Sequence, residues 1–424
     1  MAYSHPIIEV IFLCTVLVLW AMIFYQMGFT YLGYIYRRRS LRERAALVLA
    51  DISQLPPVSI VIPAHNEEIV IEKTIRCLMD LDYPADRMEI LVVNDGSTDA
   101  TPDIVRAMSK KDHRLRLINV PVTEAAQGKS HTLNFGLHAA KYEITAVYDA
   151  DNTPEPDSLK YLVINLLGRD KPAAVFGKFR TVNKHRNLLT RFINMETLSF
   201  QYMIQAGRYL LSRIAILPGT NFVIHRHIVL EAGGWDEQAL TEDTEFSIRL
   251  YEKGYEIKFV PYAVTWEEEP EAWGSWVRQR TRWVRGNFYV LRKYLLPSLK
   301  FRKRSLTLEL IHLFLLYYLF LGSILLSHLF FIGSSLGLIS VLSPGPYFAV
   351  WICAFVLFVA ELTLTASYEG EASFTNIGVI MLMYLTYSQG WIVLVFRALY
   401  QEYLQKGKVK WEKTQRFGSG PTSE

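Results

Sequence analysis

Leu306 to Leu342 forms a nearly unbroken apolar run of about 37 residues, longer than a core strand or helix needs. About 20 apolar residues cross a bilayer as a helix, which satisfies its own backbone polar groups there. Ile7 to roughly Leu32 forms a similar stretch, with Glu9 as its only charge. Arg37, Arg38, Arg39, Arg42 and Arg44 follow it. By the positive-inside rule, the N-terminus is then outside and the next segment cytoplasmic. A cleaved signal peptide fits poorly, since no basic residue precedes the run and no small-residue cleavage site follows it. Leu308 to about Phe331, Tyr347 to Ala366 and Ile377 to Phe396 read as three further spans. The basic tail, with Lys406, Lys408, Lys410, Lys413 and Arg416, creates a conflict. Three crossings from the cytoplasm end outside, whereas a basic tail prefers the inside. A re-entrant or interfacial piece within Leu306 to Leu342 would change the parity.

Between the apolar ends the chain changes character. Only 51% of all residues are hydrophobic and 20% are charged, so a soluble domain joined to a membrane part fits better than a membrane bundle. The net charge of +4 is small, and no nucleic-acid partner is expected. Cys14, Cys77 and Cys353 lie far apart, form no metal-ligand pair and imply no disulfide framework.

Val58 to Ile62, Glu89 to Val93, Arg116 to Val120 and Ile144 to Tyr148 read as strands; Glu68 to Leu81 and Thr101 to Ser109 read as helices. Alternating strands and helices predict a largely parallel sheet, which binds ligands at the carboxyl ends of its strands. Those ends carry Pro63-Ala64-His65-Asn66-Glu67, Asn94-Asp95 and Asp149-Ala150-Asp151.

Asp149 and Asp151 offer the hard oxygen ligands that Mg²⁺ takes together with substrate phosphates; the bland alternative is a pair of turn aspartates. In Thr241-Glu242-Asp243, Asp243 is a candidate general base, while Thr241 with Glu245 would suit simple helix capping. Gln279-Arg280-Thr281-Arg282-Trp283 joins guanidinium forks, suited to phosphate, to an indole suited to a sugar face. Gln127-Gly128-Lys129-Ser130 is not a P-loop, because Thr123 stands where the first glycine is required. Lys129 remains a candidate phosphate contact. Pro218-Gly219-Thr220-Asn221-Phe222 either lines an acceptor site or turns the chain. His225 and His227 have no third ligand nearby in sequence and read as solvated surface. Gly233-Gly234-Trp235 reads as a turn with a packed Trp or as a sugar platform. Among Trp266, Trp273, Trp276 and Trp283, only Trp283 is assigned to substrate; the others suit interfacial anchoring.

The ordered set Asp-x-Asp, Thr-Glu-Asp and Gln-x-x-Arg-Trp resembles the processive, membrane-bound inverting glycosyltransferases of family 2. That group includes cellulose, hyaluronan, chitin-oligosaccharide and poly-N-acetylglucosamine synthases. The resemblance covers about Pro57 to Gly286 by motif and the flanking spans by layout. It implies a GT-A type, Rossmann-like α/β domain with a mainly parallel sheet, plus helical transmembrane segments. The implied layout is a span at 1–36, a basic linker at 37–55, a cytoplasmic domain at 56–300, membrane helices at 301–400 (about three, with interfacial segments) and a basic tail at 401–424.

The resemblance also implies roles. Glu67 and Asp95 would hold uridine, with Lys129 nearby. Asp149 and Asp151 would serve Mg²⁺ or Mn²⁺, Asp151 more directly. Asp243 would be the base. Gln279, Arg282 and Trp283 would hold the diphosphate and the acceptor sugar, with Gly219 and Thr220 near the acceptor. The implied partners are a UDP-sugar (N-acetylglucosamine or glucose), a growing polysaccharide and the bilayer of the inner or plasma membrane. A cyclic-dinucleotide-binding barrel after the spans is not expected. The single N-terminal span implies that a second copy or an accessory subunit completes any export path. Two rival readings are a one-sugar transferase acting on a lipid carrier and a non-catalytic sugar-nucleotide-binding subunit.

Overall fold

No proline lies between Ile7 and Leu55, and Arg, Leu, Glu and Ala after Tyr36 favour a helix. In the computed structural model, which describes residues 6–48, 51, 53–341 and 345–404, helix α1 accordingly spans Pro6–Leu47. It does not stop at the arginine cluster. Tyr36 is buried in the domain core, where its hydroxyl donates to the Phe259 carbonyl, and Glu43 pairs with Lys258 at 2.7 Å. A Cβ on Gly33 would lie 1.9 Å from the Tyr202 carbonyl oxygen, so only glycine permits this close approach.

The soluble part alternates as expected. In order come β1 Val58–Ala64, α2 Ile71–Met79, β2 Met88–Asn94, α3 Thr101–Ser109, β3 Leu115–Asn119, α4 Lys129–Ala139, β4 Ile144–Val147, β5 Thr153–Pro154, α5 Ser158–Leu166 and β6 Ala174–Thr181. Next, α6 Leu188–Ser199 runs through a π turn, Phe200–Gln205, into α7 Ala206–Ser212. Then come β7 Phe222–His225, α8 Arg226–Glu231, α9 Glu242–Glu252, β8 Ile257–Glu267 and α10 Trp273–Tyr294.

The eight strands form one sheet in the order β3-β2-β1-β4-β7-β6-β8-β5. β1 is parallel to β2 and β4, β2 to β3, and β6 to β8; β7 runs against β4 and β6, and β5 against β8. Alternate strand residues supply two cores. Ile60, Ile62, Ile90 and Val92 face one side; Val61, Leu91, Val93 and Val147 face the other. Each such buried side chain contributes about 1.5–3 kcal/mol before entropy is set against it.

The C-terminal part comprises α11 Arg304–Phe314, a π turn Leu315–Phe320, α12 Leu321–Ser335, α13 Tyr347–Ser367, α14 Phe374–Leu385 and α15 Tyr387–Tyr403. Four described helical stretches are long and apolar enough to cross a membrane: 6–47, 304–335, 347–367 and 374–403. The last is broken at Thr386, whose φ of −125° and ψ of −76° leave the helical region.

Two sets of polar contacts fix how these helices meet the sheet domain. The connection after α13 lies against β6. Glu369 pairs with Lys178 at 2.5 Å, Glu371 pairs with Arg180 at 2.8 Å and Lys184 at 2.9 Å, and Arg37 donates to the Tyr368 carbonyl at 3.1 Å. At the far end of α15, Glu402 pairs with Arg292 at 2.8 Å and Arg285 at 3.3 Å. The basic residues expected in the tail, from Lys406 onward, lie outside the described residues.

Candidate active site

Three parallel strands end in carboxylates because each apolar run is followed by a polar turn. One cavity of about 570 Å³ collects them: Glu67 after β1, Asp95 after β2, and Asp149 and Asp151 after β4. Lys129, Gly219, Thr220, Asp243, Gln279, Arg282 and Trp283 line the same cavity. Every site residue expected from the sequence is therefore brought to one place.

The local geometry refines the expected parts. Asp95 accepts from the Ala126 amide at 2.8 Å and the Gly128 amide at 3.3 Å, so it also shapes the loop that presents Lys129. Lys129 heads α4 and lies between acidic groups, 2.5 Å from Asp149 and 3.5 Å from Glu242, and it donates to the Gly219 carbonyl at 3.0 Å. These carboxylates hold its ammonium well above the usual lysine range, despite the larger opposing effect of burial. Asp151 is 7% exposed. Thr220 accepts from the Asp149 amide at 3.0 Å and donates to Asn152, bracing the turn behind both aspartates. Clustered hard oxygens with more negative than positive charge fit a divalent cation.

Asp243 opens α9, and the Thr244 amide donates to it at 2.7 Å. Burial and then Glu242 push its carboxyl up to about 7, against the pull of the Thr244 amide, Lys129 and Arg282. A carboxyl poised near neutrality is suited to proton transfer. Gly219 has φ +76°, and a Cβ there would lie 3.1 Å from Asp243 Oδ2. Glycine is thus needed both for the turn and for its approach to Asp243.

Several expectations change. Thr241 makes no side-chain cap; Glu245 is drawn instead to Arg249 at 2.8 Å and Lys293 at 2.8 Å. Trp235 is 3% exposed and packs against Phe246 with ring centroids 5.4 Å apart, so it is core and not a sugar platform. Trp276 is also buried, not an anchor at a surface. His225 and His227 do have a third group, Glu143, with ligand atoms all within 4.8 Å, but this partly exposed cluster lies at the opposite end of β4 from the cavity.

Sequence reasoning missed the membrane-side wall. Tyr25 and Gln26 from α1, Arg208 from α7, and Glu309 and His312 from α11 extend the cavity among the membrane helices. Arg208 and Glu309 pair at 2.8 Å, and the Tyr25 and His312 rings lie 4.5 Å apart. Glu309, alone among apolar neighbours, was the one available signal; its partner on a distant helix was not readable.

Comparison with known proteins identifies the family. The Bacillus subtilis (strain 168) protein named Probable glycosyltransferase YdaM is 42% identical over 418 residues, covering 96% of this chain and 98% of its own length. A poly-beta-1,6-N-acetyl-D-glucosamine synthase of Staphylococcus epidermidis is 31% identical over 264 residues, 62% of each chain. The solved mannosyltransferase PcManGT from Pyrobaculum calidifontis, in complex with GDP-Man and Mn²⁺, shares the fold with a TM-score of 0.60 at 19% identity. That match covers 91% of this chain and 99% of the other. The sequence profile described as Glycosyltransferase like family 2 matches residues 56–286. This chain is a membrane protein with a GT-A-like domain, and it belongs to glycosyltransferase family 2.

Proposed function

We propose that this protein is a processive, inverting β-glycosyltransferase that extends a polysaccharide from UDP-N-acetylglucosamine or UDP-glucose at the cytoplasmic face of the membrane. The observation that carries this reading is the continuity of the cavity. It runs from the strand-end carboxylates past Gln279 and Trp283 to Tyr25, Arg208 and His312 among the membrane helices. A one-sugar transferase needs no such extension, whereas a growing chain does. The similarity to a poly-N-acetylglucosamine synthase supports the same reading.

In this mechanism an acceptor hydroxyl attacks the donor's anomeric carbon. Asp243 takes the proton as the new C–O bond forms. The bond from that carbon to the diphosphate oxygen breaks, and its electron pair leaves with uridine diphosphate. One in-line displacement converts an α-linked donor into a β-linked product. Lys129, Arg282 and the Gln279 amide offset the charge developing on the diphosphate. Asp149 and Asp151 would hold Mg²⁺ or Mn²⁺, which supplies further neutralisation of that charge.

The same reading extends to the parity of the crossings. α11–α12 leaves the transferase side and α13 returns to it, as the pairs of Glu369 and Glu371 with β6 support. α15 runs alongside α10, with Tyr387 at Trp276 and Glu402 at Arg292. We therefore read α14–α15 as interfacial, which leaves three crossings and an inside C-terminus. The segment that changes parity is then the last one, not Leu306 to Leu342. A C-terminal reporter accessible only from outside would contradict this.

The test of the reaction is a donor screen on purified protein with Mn²⁺, scored by uridine diphosphate release and followed by linkage analysis. Release with a UDP-hexose and a β-linked product are expected. No release with any UDP-sugar would overturn the proposal.

A further inference from the structure

Glu196 lies on α6 and lines the cavity, yet the chemistry above does not use it. Its Oε2 accepts from Arg280 Nη2 at 2.7 Å and Nε at 3.2 Å, and from the Tyr387 hydroxyl at 2.8 Å. Its Oε1 accepts from the Trp391 indole N–H at 3.0 Å. The Tyr387 hydroxyl also accepts from the Trp276 indole at 2.9 Å. One carboxylate thus joins α6, α10 and α15.

Arg280 is 1% exposed, and each of its three nitrogens donates a hydrogen bond. While Nε and Nη2 hold Glu196, Nη1 donates to Gln279 Oε1 at 2.7 Å, and the guanidinium carbon lies 3.9 Å from the Trp283 ring centroid. Arginine carries only donors, so the Gln279 atom facing it is the carbonyl oxygen. The amide's two N–H donors are then left for the cavity, the polarity that suits phosphate oxygens. A guanidinium stacked on one indole face fixes the plane of Trp283. Such a buried cation needs a counter-ion, and Glu196 supplies it; Tyr387 and Trp391 donate further hydrogen bonds to that carboxylate.

We propose that Glu196 and Arg280 are positioning residues, locked from the membrane side by Tyr387 and Trp391. The pair aims the Gln279 amide at the donor diphosphate and sets the Trp283 plane for the acceptor sugar. α15 is then part of the substrate machinery, and not only a membrane anchor. The inference rests on the proposed roles of Gln279 and Trp283.

The test uses full-length enzyme in lipid nanodiscs. Calorimetry measures binding of uridine diphosphate with Mn²⁺, and steady-state assays give donor KM and kcat. Arg280→Lys and Tyr387→Phe are each made alone and in a Gln279→Ala background. Arg280→Lys is expected to weaken uridine diphosphate about 10-fold, and Tyr387→Phe about 3-fold, the size of one or two lost hydrogen bonds. Both act more on KM than on kcat. In the Gln279→Ala background each effect falls below about 2-fold, because no amide is left to aim. Equal losses in both backgrounds would overturn the inference, as would lowered thermal stability with unchanged KM and affinity. If Arg280→Lys does not fold, the nearly isosteric Tyr387→Phe carries the same test. Wild-type protein that neither binds uridine diphosphate nor turns over a UDP-sugar would overturn the functional reading, and this inference with it.

Discussion

The strand-end wall of the cavity and its membrane-side wall are built on different principles. At the strand ends, Asp95, Asp149, Asp151, Glu242 and Asp243 outnumber the lining cations Lys129 and Arg282. On the membrane side, ionic groups come as matched pairs: Glu196 with Arg280, Glu309 with Arg208 and, behind the wall, Glu369 with Lys178. An excess of carboxylates repels itself and awaits a cation or a proton. A matched buried pair is complete and serves to fix geometry, at a desolvation cost that its hydrogen bonds must offset. The contrast runs through one motif. Arg282 pulls on Asp243, whereas Arg280, two residues earlier, is buried on Glu196.

The sharpest way to break the comparison is at the unbalanced wall. Asp243→Asn removes the proton acceptor while keeping the shape, and is expected to lower kcat about 10³-fold with a near-normal melting temperature. A loss below 10-fold would mean that proton removal lies elsewhere. Asp151→Asn is expected to weaken Mn²⁺ binding in the absence of donor, read by electron paramagnetic resonance, and to lower turnover about 100-fold. Unchanged Mn²⁺ affinity would remove Asp151 from the ligand set.

A subtler effect concerns pH. Asp243 must be ionised to act, and burial and Glu242 push its carboxyl up to about 7, so kcat/KM should rise through neutrality and level off above it. Lys129 pulls that carboxyl down, so Lys129→Met should move the rising limb to higher pH, as a pH-rate profile would read. A limb that stays in place, or moves down, contradicts the assignment. At the balanced wall the expected change is in stability, with little in chemistry. Glu369→Gln leaves Lys178 buried without its closest charge partner and should cost about 3 kcal/mol. Turnover per folded molecule should stay within about 2-fold, since Glu369 lies outside the cavity. A large kinetic loss with intact stability would make the tether part of the chemistry.

The difference between the walls also explains what could be read from the chain. Apolar runs ending in polar turns made β1, β2 and β4 legible, and parallel topology then places Glu67, Asp95, Asp149 and Asp151 together. Gly219 was legible as a turn, but its approach to Asp243 depends on how β7 and α9 pack. Arg280 was left unassigned, because local sequence gives two guanidinium forks two residues apart and cannot say that this one faces a glutamate 84 residues upstream. The continuation of α1 past the arginines follows its helix-favouring residues, but its docking on the sheet domain through Tyr36 and Glu43 is a tertiary contact with no local signature. The proposed interfacial path of α14–α15 rests on Glu402 meeting Arg285 and Arg292, again a pairing across distant sequence.

The central claim is that one cavity serves repeated transfer onto a growing chain. The most direct measurement is product length under a large excess of donor over enzyme, with Mn²⁺ and the full-length protein in a bilayer, stopped after a small fraction of donor is consumed. A processive synthase gives long β-linked chains from the first turnovers, alongside unused acceptor. Products that carry one added sugar, spread evenly over all acceptors, would contradict the account.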